Sequence, residues 1–324
     1  MPDQTQMAPI HPGLSIIVPV YNSSETLEKL ISRFDSALLS NGYQIEVILV
    51  NDGSRDHSWK IICQLEAQFP WVHGINLMRN FGQHNALLCG IRAAQNEVII
   101  TIDDDLQNPP EEIPKLLAHL SENIDVVYGT PQQEQHGFWR DMASQITKLV
   151  LQSAMGAETA RKVSAFRVFR TYIRDAFVNY HGPFVSIDVL LTWGTTQFTS
   201  ITVAHHPRQA GISNYTLRKL ITHAINMMTG FSTLPLQIAS LIGFVFTLFG
   251  IGILLFVILR YFIQGDVAPG FPFLASIIAI FSGAQLLALG IIGEYLARMY
   301  FRMMDRPSYA VRTNVNDTPA TDKK

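Results

Sequence analysis

The stretch EVIITIDDDLQNPP, residues 97–110, sets three consecutive aspartates directly after an apolar run rich in β-branched residues. The apolar part, residues 97–102, is typical of a buried strand, and the proline pair that follows stops regular structure. Neighbouring carboxylates repel one another and raise one another's pKa unless something neutralises them. We call residues 103–108 the acidic loop and expect a ligand there, although a solvated acidic turn is the simpler alternative.

Strands and helices alternate before this loop. Further apolar runs predict strands at Leu14–Val20, 45–50 and Val72–Leu77. Helical periodicity predicts helices at 23–39, with Ser23 or Ser24 as N-cap, and at 59–68 and 82–94. This order predicts βαβ units in an α/β fold with a mostly parallel sheet. Ligands bind such sheets beyond the carboxyl ends of the strands, so residues 19–22, residues 51–53 and the acidic loop should converge on one site.

The acidic loop offers oxygen ligands of the kind that hard divalent cations prefer. In an extended segment Asp103 and Asp105 project to one side and Asp104 to the other. The first and third aspartates are therefore expected to share a Mg²⁺ or Mn²⁺ that also holds substrate phosphate oxygens. Gln107, again two residues further, is a candidate third ligand.

Composition restricts the class of protein. The chain has 324 residues, of which 48% are hydrophobic and 15% charged, with a net charge of -2. Such a charge supplies no basic field for a nucleic-acid backbone, so no nucleic-acid partner is expected. Cys63 and Cys89 lie far apart and suggest neither a disulfide framework nor a zinc site. Residues 1–13 are expected to be a flexible N-terminus and lack the pattern of a signal peptide.

The apolar residues concentrate near the C-terminus. Residues 236–259 and 271–293 carry no charged side chain, and about 20 apolar residues cross a bilayer as a helix. They predict transmembrane helices at 236–259 and 271–296, with a buried hairpin of a soluble protein as the alternative. Small residues within the second run permit close helix contact and self-association into a homo-oligomer.

The flanking charges predict how these helices are oriented. Residues 261–270 contain no Lys or Arg, whereas basic residues precede the first span and follow the second at Arg218, Lys219, Arg298, Arg302, Arg306 and Arg312. By the positive-inside rule both termini are cytoplasmic. Residues 215–232 alternate polar and apolar groups at helical spacing and predict an amphipathic helix in the membrane interface. Residues 297–324 form the predicted cytoplasmic tail.

Four motifs, SIIVPVYN, VNDGSRD, RNFGQHNALLCGI and IDDDLQNPPEEIP, resemble the polyprenyl-phosphate glycosyltransferases of family 2. That group includes dolichol-phosphate-mannose synthase and bacterial undecaprenyl-phosphate glucosyl and aminoarabinosyl transferases. The resemblance runs from Leu14 to about Val311 and implies a GT-A catalytic domain over residues 14–214. It also implies inverting transfer of one sugar from a nucleotide sugar, with UDP expected, to a polyprenyl phosphate such as undecaprenyl phosphate. The expected location is the inner membrane of a bacterium, with the catalytic domain in the cytoplasm.

The resemblance also implies roles for individual residues. The nucleotide-binding positions are Pro19, Tyr21, Asn22, Asp52 and Asp104, with Asp52 accepting a hydrogen bond from the base. The metal-binding positions are Asp103, Asp105 and Gln107. The positions facing acceptor phosphate are Arg140, Arg167, Arg208 and Ser213, although surface salt bridges are the alternative for the arginines. Asp105 and Arg208 are the candidate catalytic residues.

The chain departs from the family pattern at several places. Asn22, Gln132 and Asn214 stand where Glu, Arg and Lys are more common, and Ala165 replaces a carboxylate. The last change removes one candidate general base. A phosphate acceptor is already ionised at neutral pH because its second pKa is about 6, so metal and arginines are expected to suffice.

If a base is used, Asp105 and Asp188 are the candidates. His205 and His206 adjoin Arg208, but adjacent histidines at a strand end are more often structural, and they receive no role.

Two other classes of protein remain open. A processive family 2 polymerase would use the same donor site but needs more membrane spans and a QxxRW motif, which is not found after Arg140. A non-catalytic membrane scaffold would not need the intact Asp52, Asp103, Asp105 and Gln107. Metal-dependent hydrolysis of a nucleotide sugar would separate the scaffold from the enzymes.

Overall fold

The computed structural model describes residues 12–131, 163–182, 184–206, 234–264 and 271–314. Within this part of the chain eight strands form one mixed sheet, in the order β7-β5-β6-β4-β1-β2-β3-β8. The strands are β1 Leu14–Val20, β2 Ile45–Asn51, β3 Val72–Leu77, β4 Val98–Thr101, β5 Val126–Pro131, β6 Arg167–Arg170, β7 Phe198–Val203 and β8 Val311–Asn314. The α-helices are α1 Leu27–Ala37, α2 Ser58–Gln68, α3 Gln83–Ala93, α4 Ile113–Leu117, α5 Ile187–Gly194, α6 Leu234–Gln264 and α7 Phe271–Met303.

The first four strands follow the sequence prediction. Strand β1 pairs in parallel with β2 and β4, and β2 pairs in parallel with β3. Every residue of β1 and β2 is buried, because helices cover both faces of the sheet. Alternate residues of β1 enter two cores: Ile16 and Val18 pack with α1, α2 and α4, whereas Ile17 packs with α3 and α5. Burial on both faces explains why most residues of these strands are apolar.

The predicted N-cap of α1 is wrong. The helix begins at Leu27, with Thr26 at the N-cap position and no side-chain capping bond. Ser23 lies three residues before the N-cap position, and its hydroxyl donates to Asp104 at 2.5 Å. The backbone N–H of Ser24 instead donates to Asp56 at 3.1 Å. These two serines join the start of the helix to other strand ends.

The remaining strands have a different topology. Strand β6 runs antiparallel to both β4 and β5, while β5 and β7 are parallel. At the opposite edge β8 pairs antiparallel with β3. Strand β8 comes from the predicted tail 297–324, so this tail contributes a strand to the sheet. Because β8 follows α7 closely in sequence, the end of α7 lies beside that sheet.

Helices α6 and α7 present an apolar surface that the described part of the chain leaves exposed. The windows Pro235–Arg260 and Ile280–Met303 are long and apolar enough to cross a membrane, and 0% of either window is buried. This exposure argues against the buried hairpin of a soluble protein. The two helices contact each other where Phe246 and Phe281 pack with ring centroids 5.6 Å apart. The predicted interfacial helix at 215–232 lies outside the described residues.

Candidate active site

The carboxyl ends of β1, β2 and β4 meet at one place, as the strand order predicts. The backbone N–H of Asp52 donates to the carbonyl of Val20 at 2.8 Å, which joins the ends of β2 and β1. The backbone N–H of Tyr21 lies 3.3 Å from the Asp104 carboxylate and donates to it. The three polar clusters predicted from sequence therefore form one site.

The Asp52 carboxylate holds the backbone of residues 81 and 82, which lies beside the end of β2. Its side chain is buried, and its two oxygens accept hydrogen bonds from the N–H groups of Phe81 at 2.7 Å and Gly82 at 2.9 Å. Burial raises the pKa of Asp52 above its ordinary value, against the lowering effect of these donors and of Arg79. The carboxylate thereby ties the end of β2 to the start of α3. Its predicted contact with a nucleotide base stays a prediction.

Gly53 makes this arrangement possible. Its φ is +67°, and a Cβ atom there would lie 2.5 Å from the backbone nitrogen of Asn80 and 2.6 Å from the carbonyl carbon of Arg79. Those are backbone atoms, so no side-chain rotation relieves the clash. A glycine is therefore required where residues 79–82 cross the end of β2.

The other predicted nucleotide-binding residues lie at the end of β1. Pro19 is buried inside the strand, whereas Tyr21 is exposed at its end with 41% of its surface accessible. Asn22 has a φ of +55°, a left-handed conformation that Asn adopts more readily than Glu. Its amide oxygen accepts a hydrogen bond from the N–H of Arg55 at 2.8 Å. The backbone conformation thus suits an Asn at this position.

Each aspartate of the acidic loop has a different partner. The Asp103 carboxylate accepts a hydrogen bond from the Gln83 side chain at 2.6 Å. Asp104 accepts from the Ser23 hydroxyl at 2.5 Å, and Asp105 accepts from the N–H of Gln107 at 3.1 Å. Burial, opposed by the hydrogen bonds of Asp104 and reinforced by the charge of Asp105, raises the pKa of Asp104 to about 6. Three carboxyl groups thus occupy three consecutive positions of the loop.

The backbone of this loop is strained. Leu106 has a φ of +60° although it is not a glycine, and its side chain is 1% exposed within the hydrophobic core. Such a conformation costs about 1–3 kcal/mol and persists only where the surroundings impose it. Burial of Leu106 in the core supplies that constraint and holds Asp105 and Gln107 on either side of the turn.

The acidic loop carries the kind of donors that hard divalent cations bind. Asp103, Asp105 and Gln107 offer oxygen atoms as ligands. Within the described part of the chain no three His, Cys, Asp or Glu side chains are grouped to hold a metal ion. Two carboxylates and an amide do not fill the coordination sphere of a cation. This is typical of a Mg²⁺ or Mn²⁺ site that water and phosphate oxygens complete.

Sequence reasoning missed two neighbours of this loop. The backbone N–H of His206 donates to the carbonyl of Gln107 at 2.8 Å, and a ring nitrogen of His205 lies 3.3 Å from the Asn108 amide oxygen. The chain leaving β7 is thus attached to the acidic loop. The pairing joins residues about a hundred positions apart, and no local sequence signal indicates it. Arg140, Arg208 and Ser213 lie outside the described residues.

Arg167 does not occupy the predicted position. Its side chain is 2% exposed, and its guanidinium donates to the Asp188 carboxylate at 2.5 Å. The Tyr128 hydroxyl donates to the same oxygen at 3.1 Å. The predicted role for Arg167, facing acceptor phosphate, is therefore corrected: it neutralises a buried aspartate of its own chain. The same ion pair engages Asp188, one of the two candidate bases.

Comparison with known proteins identifies the family. Residues 15–182 match glycosyl transferase family 2. Undecaprenyl-phosphate 4-deoxy-4-formamido-L-arabinose transferase of Klebsiella pneumoniae subsp. pneumoniae is 34% identical over 314 residues, which cover 96% of each chain. The enzyme of the same name from Pectobacterium atrosepticum is 36% identical over 314 residues, covering 95% of this chain and 96% of the relative. The chain belongs to glycosyl transferase family 2.

Solved structures support the fold. Glucosyl-3-phosphoglycerate synthase from Mycobacterium tuberculosis, in complex with Mn²⁺, UDP and glucosyl-3-phosphoglycerate, aligns with a TM-score of 0.51 at 15% identity. Its complex with Mn²⁺, UDP-glucose and phosphoglyceric acid gives 0.52 at 16% identity. Each alignment covers 67% of this chain and 78% of the other. The likeness confirms the predicted GT-A fold.

Proposed function

We propose that this protein transfers a single sugar, with inversion, from a nucleotide sugar to the phosphate of a membrane polyprenol. The observation that carries the proposal is the attachment of two uncovered apolar helices to a GT-A sheet whose strand ends form an acidic site. An acceptor embedded in a membrane accounts for both parts of the molecule. Undecaprenyl phosphate is the proposed acceptor because the relatives that align with 95–96% of the chain carry it in their names.

The acidic loop is proposed to bind Mg²⁺ or Mn²⁺ together with the diphosphate of the donor. Asp103, Asp105 and Gln107 are the proposed ligands, and the cation would stabilise the charge of the departing nucleotide. The Mn²⁺ and UDP in the Mycobacterium tuberculosis complexes support a divalent cation and a UDP-linked donor. Tyr21, which is exposed at the end of β1, is the proposed contact to the nucleoside.

The acceptor phosphate is proposed to enter from the side of β7. His206 is attached to the acidic loop through Gln107, and Arg208 follows two residues later in the sequence. Arg208, with Arg140 and Ser213, is the proposed phosphate-binding set. Because the phosphate is already ionised near neutral pH, no base is needed to activate it. The proposed residues would act by holding the phosphate in line with the anomeric carbon.

Helices α6 and α7 are proposed to span the bacterial inner membrane with the catalytic domain in the cytoplasm. Two consecutive spans return the chain to its starting side. The pairing of β8 with β3 agrees with this topology, because it requires the end of α7 and the sheet to share one side. The basic residues that follow α7 favour the cytoplasmic side. Exposed small residues such as Gly283 on α7 support self-association within the membrane.

The decisive experiment is product identification. Purified protein is incubated with undecaprenyl phosphate, Mg²⁺ or Mn²⁺ and a panel of nucleotide sugars, and the lipid product is identified by mass. We expect one sugar added per lipid, lost with a chelator or in Asp105→Asn and retained in Asp35→Asn, an exposed aspartate on α1. Glycan extension without a lipid product would favour a processive polymerase. Neither transfer nor donor hydrolysis would favour a scaffold.

A further inference from the structure

The membrane-proximal end of α7 contacts a loop of the catalytic domain. The guanidinium of Arg298 lies 4.4 Å from the centroid of the Phe184 ring, and that of Arg302 lies 5.7 Å from the Tyr180 ring. Arg298 also pairs with Glu294 at 2.7 Å and keeps only 12% of its side chain exposed. An arginine that merely ends a membrane helix would extend into the head groups. These two arginines instead lie over aromatic rings.

The residues that follow α7 extend this contact. The Ser308 hydroxyl donates to the Gly182 carbonyl at 3.0 Å and accepts from the Gly182 N–H at 3.3 Å. Ser308 is 5% exposed, although it lies only five residues beyond the membrane-competent helix. The next residue, Tyr309, has its ring 5.4 Å from the Arg92 guanidinium. Strand β8 then joins the sheet edge. We call Arg298, Arg302, Ser308 and Tyr309 the clamp.

The loop held by the clamp leads directly into the active site. Two residues after Phe184 the chain reaches Ser186, which precedes α5. The first N–H of α5, from Ile187, donates to a ring nitrogen of His84 at 3.3 Å. The residue before His84 is Gln83, whose side chain donates to Asp103 of the acidic loop at 2.6 Å. A continuous set of contacts thus joins the end of α7 to the predicted metal ligands.

A lipid phosphate lies at a fixed depth in a bilayer, so the acidic loop must be held at a matching height above it. Misplacing reacting groups by about 1 Å can cost about a hundredfold in rate. Ordering two arginine side chains costs up to about 2 kcal/mol each in rotamer entropy, and crossing a membrane does not require it. The clamp contacts are therefore best explained by a requirement for relative position.

We propose that the clamp is a positioning device that sets the height and tilt of the catalytic domain over the membrane, so that the lipid phosphate reaches the donor. The proposal rests on the proposed function, since it requires a membrane-embedded acceptor. The clamp residues are positioning residues, because they touch the loop and helix ends instead of the substrates.

The test compares two acceptors in the full-length protein. Arg302→Gln and Ser308→Ala, combined in one chain, are assayed with undecaprenyl phosphate in lipid vesicles and with a short-chain polyprenyl phosphate dissolved in water. We expect kcat with the vesicle acceptor to fall about tenfold or more. Turnover of the soluble acceptor and the Kd for UDP should stay within about twofold, because the site itself is intact. Arg312→Gln, the same charge change at an exposed residue of β8, is the matched control.

A second pair of measurements separates positioning from folding. Arg302→Lys, used in place of Arg302→Gln in the double variant, keeps a cation for the Tyr180 ring. It should restore most of the activity with the vesicle acceptor. Hydrogen exchange over residues 180–188 should quicken in the double variant and not in Arg312→Gln. Equal losses of activity with both acceptors would show that the clamp only supports the fold. Unchanged activity with the vesicle acceptor would show that the clamp contacts do not affect catalysis. Either result would overturn the proposal. A wild-type protein inactive with both acceptors would overturn the proposed function and, with it, the clamp.

Discussion

Asp105 and Asp188 lie at the same end of the sheet and are equally hidden from solvent, with 8% and 9% exposure. Their surroundings differ. Asp188 lies 2.5 Å from the guanidinium of Arg167, so its charge is balanced within the chain. Asp105 accepts the neutral N–H of Gln107 within its own loop and follows two further aspartates. Equal burial therefore accompanies different surroundings: one carboxylate is paired with a buried arginine, and the other lies in the loop that we propose to bind a cation.

The largest loss of stability is expected for Asp188→Asn. The change keeps the shape of the side chain but leaves the Arg167 guanidinium buried without its counter-charge, and breaking a buried ion pair in this way costs about 3–5 kcal/mol. Denaturant unfolding of the purified protein in detergent measures the change in free energy of unfolding. Asp175→Asn, at an exposed aspartate, is the control. A loss below about 1 kcal/mol would mean that the pair behaves like a surface salt bridge. Asp188 and Asp105 would then not differ in their contribution to stability.

The next largest loss is expected for Gly53→Ala. Alanine in the left-handed conformation costs about 1–2 kcal/mol, and its Cβ would also meet the backbone of Asn80 at 2.5 Å. Gly42 offers a matched comparison, because its φ is +83° but a Cβ there would meet nothing within 4 Å. Gly42→Ala should therefore show the conformational cost alone. Equal shifts in melting temperature for the two variants would show that the crossing of residues 79–82 over β2 imposes no steric limit.

Asp52→Asn should have a smaller effect. One carboxylate oxygen becomes an NH₂ group facing a backbone N–H donor, and an unsatisfied buried donor costs about 1–3 kcal/mol. The pH dependence gives an independent check. Because burial raises the pKa of Asp52, the folded protein binds this proton more tightly than the unfolded chain, so the contribution of Asp52 to stability falls as pH rises through the folded pKa.

The asparagine variant should lose that component of the pH profile, measured as unfolding free energy from acidic to neutral pH. An unchanged profile would mean that Asp52 titrates alike in the folded and unfolded chains.

The parallel half of the fold was predictable because its strands are buried on both faces. Strands β1 to β3 consist mostly of apolar residues, and the predicted bounds agree with the structure to within one residue. Strand β6 has the sequence RVFR and begins with Arg167. A charged residue at a strand start suggests a surface position. Its partner Asp188 is 21 residues away, and no spacing rule connects them.

The contacts at the site also divide into those that the sequence predicted and those that it did not. Asp52 and the acidic loop were found because a general rule assigns ligands to the carboxyl ends of parallel strands. The contacts of His206 with Gln107 and of Ser308 with Gly182 join distant segments, and each depends on packing that only the folded chain reveals. The predicted tail, residues 297–324, includes the last turns of α7, which ends at Met303. The pairing of the tail with β3 was missed because β8 has only four residues.

The smallest change in stability is expected for Asp105→Asn, and this variant tests the comparison most directly. Asparagine keeps an oxygen that can accept the Gln107 N–H, so the protein without ligands should lose less than about 1 kcal/mol. The difference should appear when ligands are added. If a cation binds the acidic loop together with a nucleotide, UDP and Mn²⁺ at 100 times their Kd stabilise the folded protein by about 2.7 kcal/mol. Thermal unfolding with UDP, with and without Mn²⁺, should show a metal-dependent shift in the wild type and in Asp35→Asn but little in Asp105→Asn. A variant that keeps the full shift, or that without ligands unfolds as easily as Asp188→Asn, would assign Asp105 to the core and leave the acidic loop without its proposed cation.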